Sequence, residues 1–224
     1  TKRTDPPEMT DNLPPGLSTA IGAARQGEIY LNGMMGNQKP LVPVDSDQLE
    51  ASAQRIMSPE GFAYVAGGAG RELTVAANRS AFERWQIVPR MLNNVAERDG
   101  AIELFERTLR APLLLAPIGV QELAHKEADL ATARAAAAEA VPMIFSNQAS
   151  VAMEETAAAM GDAPRWFQLY WGKSNDLVAS LVSRAEKAGC DAIVVTLDTT
   201  LLGWRTRDLD FAYLPYGELE RNRD

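Results

Sequence analysis

From Ala111 onward the chain alternates short apolar runs with longer amphipathic stretches, the pattern of parallel strands joined by crossover helices. The runs Leu113-Leu114-Leu115-Ala116, Met143-Ile144-Phe145-Ser146, Trp166-Phe167-Gln168-Leu169-Tyr170 and Ala192-Ile193-Val194-Val195-Thr196 each predict a strand. Helices are predicted between them over Lys126–Ala140, Met153–Met160 and Asn175–Ala188. Each is expected to end as a glycine cap ends a helix, with Gly161 and Gly189 stopping the second and third. In the last of these helices Leu177, Val178, Leu181, Val182 and Ala185 form one apolar stripe, expected to cover the sheet.

The earlier part of the chain has a different texture. Residues 1–44 are broken by Pro14-Pro15 and Gly36-Asn37 and read as an arm, with one short helix around Leu17–Arg25. Residues 45–110 read as a helical segment: Asp45–Met57 has apolar or small residues at helical spacing, Pro59 opens a second helix that Gly67-Gly68 ends, and Thr74–Phe82 continues in the same style. Residues 111–224 then hold four β/α units. The fold class is therefore α/β, and a strand spacing of ~25 to 30 residues fits either an open doubly wound sheet or a closed barrel. Periodicity does not choose between them. The closing stretch Gly217–Asp224 leaves no element to cover the last strand of a barrel. The expectation is thus a fragment, or one of two chains that share a barrel.

Composition narrows the function. An apolar fraction of 46% with 23% charged residues is that of a globular protein, and a net charge of −8 argues against nucleic-acid binding, which needs clustered Lys and Arg. No run approaches the roughly 20 apolar residues that span a bilayer, and the start Thr1-Lys2-Arg3 lacks a signal-peptide core, so no membrane partner and a cytoplasmic setting are expected. The single Cys190 cannot form an internal disulfide and reads as packing, and the single His125 reads as a hydrogen-bonded loop residue.

Chemistry concentrates where the strands end. The turns Pro117-Ile118-Gly119 and Ser146-Asn147-Gln148, with Gln168-Leu169-Tyr170 and Thr196-Leu197-Asp198, would converge on one site, because parallel α/β folds bind ligands at the carboxyl ends of their strands. Ser146, Gln168 and Thr196 offer neutral donors and acceptors, and Gly119 lets a planar ring approach the backbone, a set suited to a flat neutral heterocycle. Gly67-Gly68-Ala69-Gly70 is a helix stop rather than a phosphate loop, since it follows a helix and lacks the Gly-Lys-Ser of such loops. By itself Tyr64, just before it, reads as core.

Phe62-Ala63-Tyr64-Val65-Ala66-Gly67-Gly68-Ala69-Gly70, Leu115-Ala116-Pro117-Ile118-Gly119, Trp166–Tyr170 and Val195-Thr196-Leu197-Asp198-Thr199 resemble the successive blocks of the FMN-dependent 2-hydroxy-acid oxidases and dehydrogenases, in order and spacing. Glu28-Ile29-Tyr30 followed by Gly33, and Gly203-Trp204-Arg205-Thr206-Arg207-Asp208-Leu209, resemble the lactate 2-monooxygenase branch in particular. The resemblance implies the N-terminal half of a (β/α)8 TIM barrel, preceded by the arm and the short helical segment. It implies that Pro117, Ile118 and Gly119 line FMN near its reactive nitrogen and that Ser146, Gln168 and Thr196 meet its polar edge. Tyr64 would bind the substrate carboxylate, Tyr170 would lie near its hydroxyl, and Arg205 matches a mobile arginine beside the site. Asp198 matches the carboxylate that orients a catalytic histidine, which in the family lies beyond the fourth strand; His125 falls elsewhere and is not that base.

The implied partners are a small 2-hydroxy acid such as L-lactate, oxygen, the C-terminal half of the barrel as a second chain or missing segment, and further copies of the complete unit in a homo-oligomer. Two other readings compete. One is a non-catalytic half-barrel that binds a partner chain. The other is an aldolase-like phosphate enzyme, disfavoured because no Schiff-base lysine stands at a strand end.

Overall fold

The computed structural model describes residues 21–94, 99–199 and 201–215, with side chains from residue 26 on. The chain divides into two units, Thr1–Glu50 with Pro89–Asp99, and Ala51–Val88 with Gly100–Asp224. In the first, helix α1 (Ile21–Tyr30) runs into a π turn at Leu31–Met35, closed where Gly36 N donates to Leu31 O at 2.9 Å. The arm helix covers Ile21–Arg25 of its predicted span and runs on to Tyr30, while Leu17–Ala20 fall outside the described residues, as does the closing stretch Gly217–Asp224. Helix α2 (Ser46–Ile56) crosses the division and starts where Asp45 Oδ1 accepts from Gln48 N at 2.9 Å, a side-chain cap for an otherwise unpaired donor.

In the second unit, helix α3 (Pro59–Ala66) is capped by Ser58, whose Oγ accepts from Gly61 N at 3.0 Å, and Pro59 fills the first helical position, where its missing N–H costs nothing. Helix α4 (Leu73–Ser80) follows, extended by a 3-10 turn over Ala81–Arg84. An antiparallel hairpin, β1 (Ile102–Leu104) and β2 (Arg107–Leu109), then stands in the segment read as helical. Its turn residues are Phe105 and Glu106, with φ of +48° and +61°. A two-residue hairpin needs that conformation, but Asn or Gly usually signals it. Tertiary contacts hold the turn instead. The Phe105 ring meets Trp166 edge-on at 5.2 Å, and Arg107 Nε lies 2.8 Å from Asp191 Oδ2.

The sheet is parallel, in the order β3 (Met143–Phe145), β4 (Arg165–Tyr170), β5 (Ile193–Thr196), with Phe145 opposite Phe167 and Tyr170 opposite Thr196. The first predicted strand is reduced to a bridge. Leu115 N donates to Pro142 O at 2.9 Å and Leu115 O accepts from Ile144 N at 3.1 Å. The flanking Pro112 and Pro117 have no N–H to extend the ladder, and Leu113 N turns back onto Ala111 O at 2.8 Å.

Helices α5 (Ala128–Glu139), α6 (Met153–Met160) and α7 (Asn175–Lys187) build the core with this sheet. Met143, Phe145, Phe167 and Leu169 pack with Ala133 and Ala136 of α5, Met153, Ala157 and Met160 of α6, and Val178 and Ala185 of α7. The alanines remove bulk, so α5 and α6 approach closely. In α7, Ser174 caps Leu177 N at 3.3 Å, and Val178, Val182 and Ala185 turn inward, but Leu177 is 56% exposed. It departs from the predicted stripe because it stands about 100° round the helix from Val178. Glycines follow α6 and α7 in the left-handed region (Gly161 φ +57°, Gly189 φ +72°), whereas α5 ends on Ala140 at φ +53°. The expected glycine cap is missing there. A last short helix, α8, spans Thr206–Asp210. Among the described residues no helix is long and apolar enough to cross a membrane.

Candidate active site

A hydrogen-bonded band runs across the carboxyl ends of the strands. Val120 N, just past the turn that follows Leu115, donates to Gln148 O at 3.0 Å, and Gln148 N donates to Ser146 Oγ at 3.1 Å. Asn147 N donates to Gln168 Oε1 at 3.0 Å, Tyr170 N donates to Asn147 Oδ1 at 3.2 Å, and Gln168 Nε2 donates to Thr196 Oγ1 at 2.8 Å. Three strand ends and the turn after the Leu115 bridge are thereby tied side to side, and Ser146, Gln168 and Thr196 fall in one network with the turn that carries Pro117, Ile118 and Gly119. Alternation explains the placement: Gln168 lies between Phe167 and Leu169, which face the core, so its side chain stands on the opposite face of the sheet, where it is 2% exposed.

Gly119 has a local reason to be glycine. A Cβ there would stand 3.1 Å from Gln148 Cβ and 3.2 Å from Gln148 O, so the neighbouring turn already occupies that side. The donor set suits a planar neutral ring such as the isoalloxazine of FMN. Ser146 Oγ accepts from Gln148 N and Thr196 Oγ1 accepts from Gln168 Nε2, which leaves each hydroxyl proton directed away from its donor, and the Gln168 amide keeps a second N–H. None of the three carries a charge.

A second group joins residues far apart in sequence. Arg205 lies with its guanidinium carbon 4.9 Å from the centre of the Tyr64 ring, donates through Nη2 to Tyr64 O, and donates through Nε to Asp208 Oδ2 at 2.5 Å. Gly70 N donates to Trp204 O at 2.7 Å, and Thr206 Oγ1 donates to Gly70 O at 3.3 Å. Arg207 pairs with Glu72, whose other oxygen accepts from Gly68 N; the Arg207 bond first, and that N–H second, hold the Glu72 carboxyl below its ordinary pKa. Gly68 stands where a Cβ would be 2.6 Å from Val75 Cγ2. Arg205 thus meets two residues, Tyr64 through its ring and carbonyl and Asp208 through its carboxylate, and Tyr64, read alone as core, is half-buried. Asp208 Oδ1 is buried and has no hydrogen-bond partner among the described residues.

The remaining candidates stand apart from these two groups. Tyr170 is half-buried at the end of β4 and joins the band through its backbone N–H. Asp198 is exposed, two residues beyond the end of β5. His125 Nδ1 accepts from Glu127 N at 3.2 Å, as a loop histidine does. Burial pushes the Cys190 thiol up to about 11, an environment that opposes a thiolate. A groove of about 510 Å³ runs along α7 beside Trp171, Val178 and Val182, and no candidate residue lines it. One residue of the band was barely visible in the sequence. Asn147 stood out only as part of a polar turn, although it links Gln168 to Tyr170 N.

The sequence pattern of FMN-dependent dehydrogenases matches residues 53–220. The L-lactate oxidase of Lysinibacillus sphaericus (strain C3-41) is 42% identical over 190 residues, covering 84% of this chain and 48% of that protein. An FMN-dependent alpha-hydroxy acid dehydrogenase of Penicillium citrinum is 37% identical over 191 residues, 85% of this chain and 48% of that protein. Among solved structures, mandelate oxidase with a difluoro-hydroxy-phenylpropionic acid superposes with a TM-score of 0.72 at 40% identity, over 77% of this chain and 51% of that one. A lactate oxidase of Pediococcus acidilactici gives 0.74 at 37% identity, over 79% and 49%. The chain spans about half the length of the curated relatives it matches. Its α/β architecture, with the sheet left open, corresponds to about half of their barrel.

Proposed function

Because the chain belongs to the FMN-dependent dehydrogenase family, whose cofactor is FMN, we propose that it supplies the N-terminal half of a barrel that oxidises a small L-2-hydroxy acid, lactate-like, with oxygen as the electron acceptor. The observation that carries this reading is the neutral hydrogen-bonded band from Val120 to Thr196, across the turn after Leu115 and the ends of three strands. Bound FMN would supply the two-electron acceptor for a reaction in which the hydroxy acid loses two electrons and two protons to become a 2-oxo acid. Ser146, Gln168 and Thr196 would hold the polar edge of its ring, while Pro117, Ile118 and Gly119 line the side that meets the substrate.

Tyr64 would donate to the substrate carboxylate, Tyr170 would stand near the hydroxyl, and Arg205, held against Tyr64, would add positive charge beside the carboxylate. Asp198 would hold a histidine supplied by the C-terminal half of the barrel, so that its charge stabilises the imidazolium formed on proton removal. In this reading residues 1–44 would be an arm, residues 45–110 the segment that precedes the barrel and residues 111–224 its first β/α units. The motifs at Glu28–Gly33 and Gly203–Leu209 favour lactate 2-monooxygenase chemistry within the family. A cytoplasmic homo-oligomer of the complete unit completes the reading.

The test joins this chain to the C-terminal half of the Lysinibacillus sphaericus L-lactate oxidase and mixes the protein with L-lactate in the absence of oxygen. Bleaching of bound FMN, restored by oxygen, is the expected result. A protein that binds FMN and is not reduced by lactate or mandelate would leave the chain as a half-barrel that serves to bind a partner.

A further inference from the structure

Asp129 lies in the first turn of α5 and is 1% exposed. Its Oδ2 accepts from Ser150 N at 2.9 Å and Val151 N at 3.1 Å, both in the loop that continues the Ser146-Asn147-Gln148 turn. Its Oδ1 accepts from Gln121 Nε2 at 3.2 Å. The same Nε2 donates to Ile118 O at 3.2 Å, and Gln121 Oε1 accepts from Thr132 Oγ1 at 2.6 Å, which fixes which way the amide faces. One buried carboxylate therefore grips the loop after β3 directly and the Pro117-Ile118-Gly119 turn through a single glutamine. Those are the two turns between which Gly119 and Gln148 meet at contact distance.

Burying this charge is unfavourable. Desolvation pushes its pKa up, the N–H groups of Ser150 and Val151 oppose that, and nearby Glu122 adds to it. A helix N-terminus with no more than its own ends to satisfy is served by an exposed carboxylate. A sealed one that reaches two loops is accounted for by what it holds. We propose that Asp129 is a positioning residue for the cofactor site, setting the 117–120 turn against the 146–151 loop at the spacing that the flavin ring requires. This rests on the FMN reading of those turns.

The chemistry distinguishes a carboxylate from its amide. In Asp129→Asn the remaining carbonyl can still accept from Ser150 and Val151, but the new NH₂ confronts Gln121 Nε2, donor against donor. If Gln121 turns over, its oxygen confronts Ile118 O. Gln121→Glu makes the reverse error, acceptor against acceptor. Combining the two restores a matched pair between positions 121 and 129, while Ile118 O still loses its donor, so the double variant is matched at one of the two contacts.

The experiment uses this chain completed with the C-terminal half of the Lysinibacillus sphaericus L-lactate oxidase, the protein in which the proposed flavin site is whole. Amide hydrogen exchange is followed at Val120, Ser150 and Val151, and FMN affinity and the visible spectrum of the bound flavin are measured by equilibrium dialysis. Each single variant should speed exchange at Val120 and weaken FMN binding about tenfold, the loss of one charge-assisted hydrogen bond, with a shifted flavin spectrum and unchanged helix content. The double variant should bind FMN no worse than either single one. Losses that multiply in the double variant, or exchange at Val120 that no variant changes, would overturn the role of Asp129. If Asp129→Asn does not fold, Gln121→Glu carries the same two readouts. Should the completed wild-type protein show no FMN binding, the cofactor reading of the turns fails, and exchange alone decides whether Asp129 couples them.

Discussion

At the scale of single residues, the polar strand ends were legible because each breaks an apolar run. Ser146, Gln168 and Thr196 follow or interrupt strings of Ile, Phe and Val, and a neutral side chain there needs a reason. Asp129 was not legible: an acidic residue in the first turn of a helix is what the helix dipole alone would select. Its 1% exposure depends on loops more than 20 residues away, as the separations of 21 and 22 to Ser150 and Val151 show. Asp198 carries the sharpest prediction at this scale. In the chain completed with the lactate oxidase half, Asp198→Asn should lower kcat and kcat/KM together by about 10²-fold, because its charge acts most strongly in the transition state. FMN should stay bound, since Thr196 and Gln168 are untouched. Rapid-mixing reduction by L-lactate reads the effect, and a wild-type rate in the variant would make Asp198 a plain strand-end carboxylate.

At the scale of elements, two helix features lead to measurable consequences. Ala140 ends α5 in the left-handed region, where a Cβ is strained by about 1 kcal/mol or more and glycine is not. Ala140→Gly should therefore stabilise the fold, by roughly 0.5 kcal/mol once the extra freedom of glycine in the unfolded chain is subtracted. Thermal denaturation checks the sign, and a lower Tm would mean that Ala140 has contacts that offset the strain. Helices α6 and α7 are joined by Arg184, whose Nε and Nη2 lie 2.7 and 2.9 Å from the two oxygens of Glu154.

That arginine lowers the Glu154 carboxyl to about 2. A depressed carboxylate pKa stabilises the folded state above the ordinary value near 4.5, and the contribution is lost as pH falls from there through about 2. The side chains are 43% and 50% exposed, so solvent screening keeps the effect below about 1 kcal/mol. Glu154→Gln should be slightly less stable than wild type at pH 7, with the difference vanishing near pH 2. A difference that persists in acid would assign the loss to packing instead.

At the scale of the whole molecule, β5 has β4 on one side and no strand on the other among the described residues. Val195 within β5, and Leu197, Leu201 and Leu202 after it in the chain, are 43%, 82%, 86% and 90% exposed. An unpaired parallel edge flanked by leucines is a template for association. The chain alone should bind a hydrophobic dye and sediment heavier as its concentration rises, and Leu197→Lys with Leu202→Lys should reduce both. A dye-silent monomer at high concentration would contradict this.

The sequence by itself determined the α/β class, the helices from α5 to α7, three of the four predicted strands and the polar strand ends, because period, capping and the break from apolar to polar are properties of neighbouring residues. Only tertiary structure decided the rest. The β1–β2 hairpin turns on Phe105-Glu106, a pair without turn chemistry that Trp166 and Asp191 hold in place. The strand around Leu115 shrinks to a bridge because its neighbour β3 offers a partner to one residue between two prolines. Arg205 reaches Tyr64 across 141 positions, and no local pattern records a contact of that span. Burial and charge pairing at such distances are set by how the elements pack, and they convert a row of polar strand ends into a candidate site.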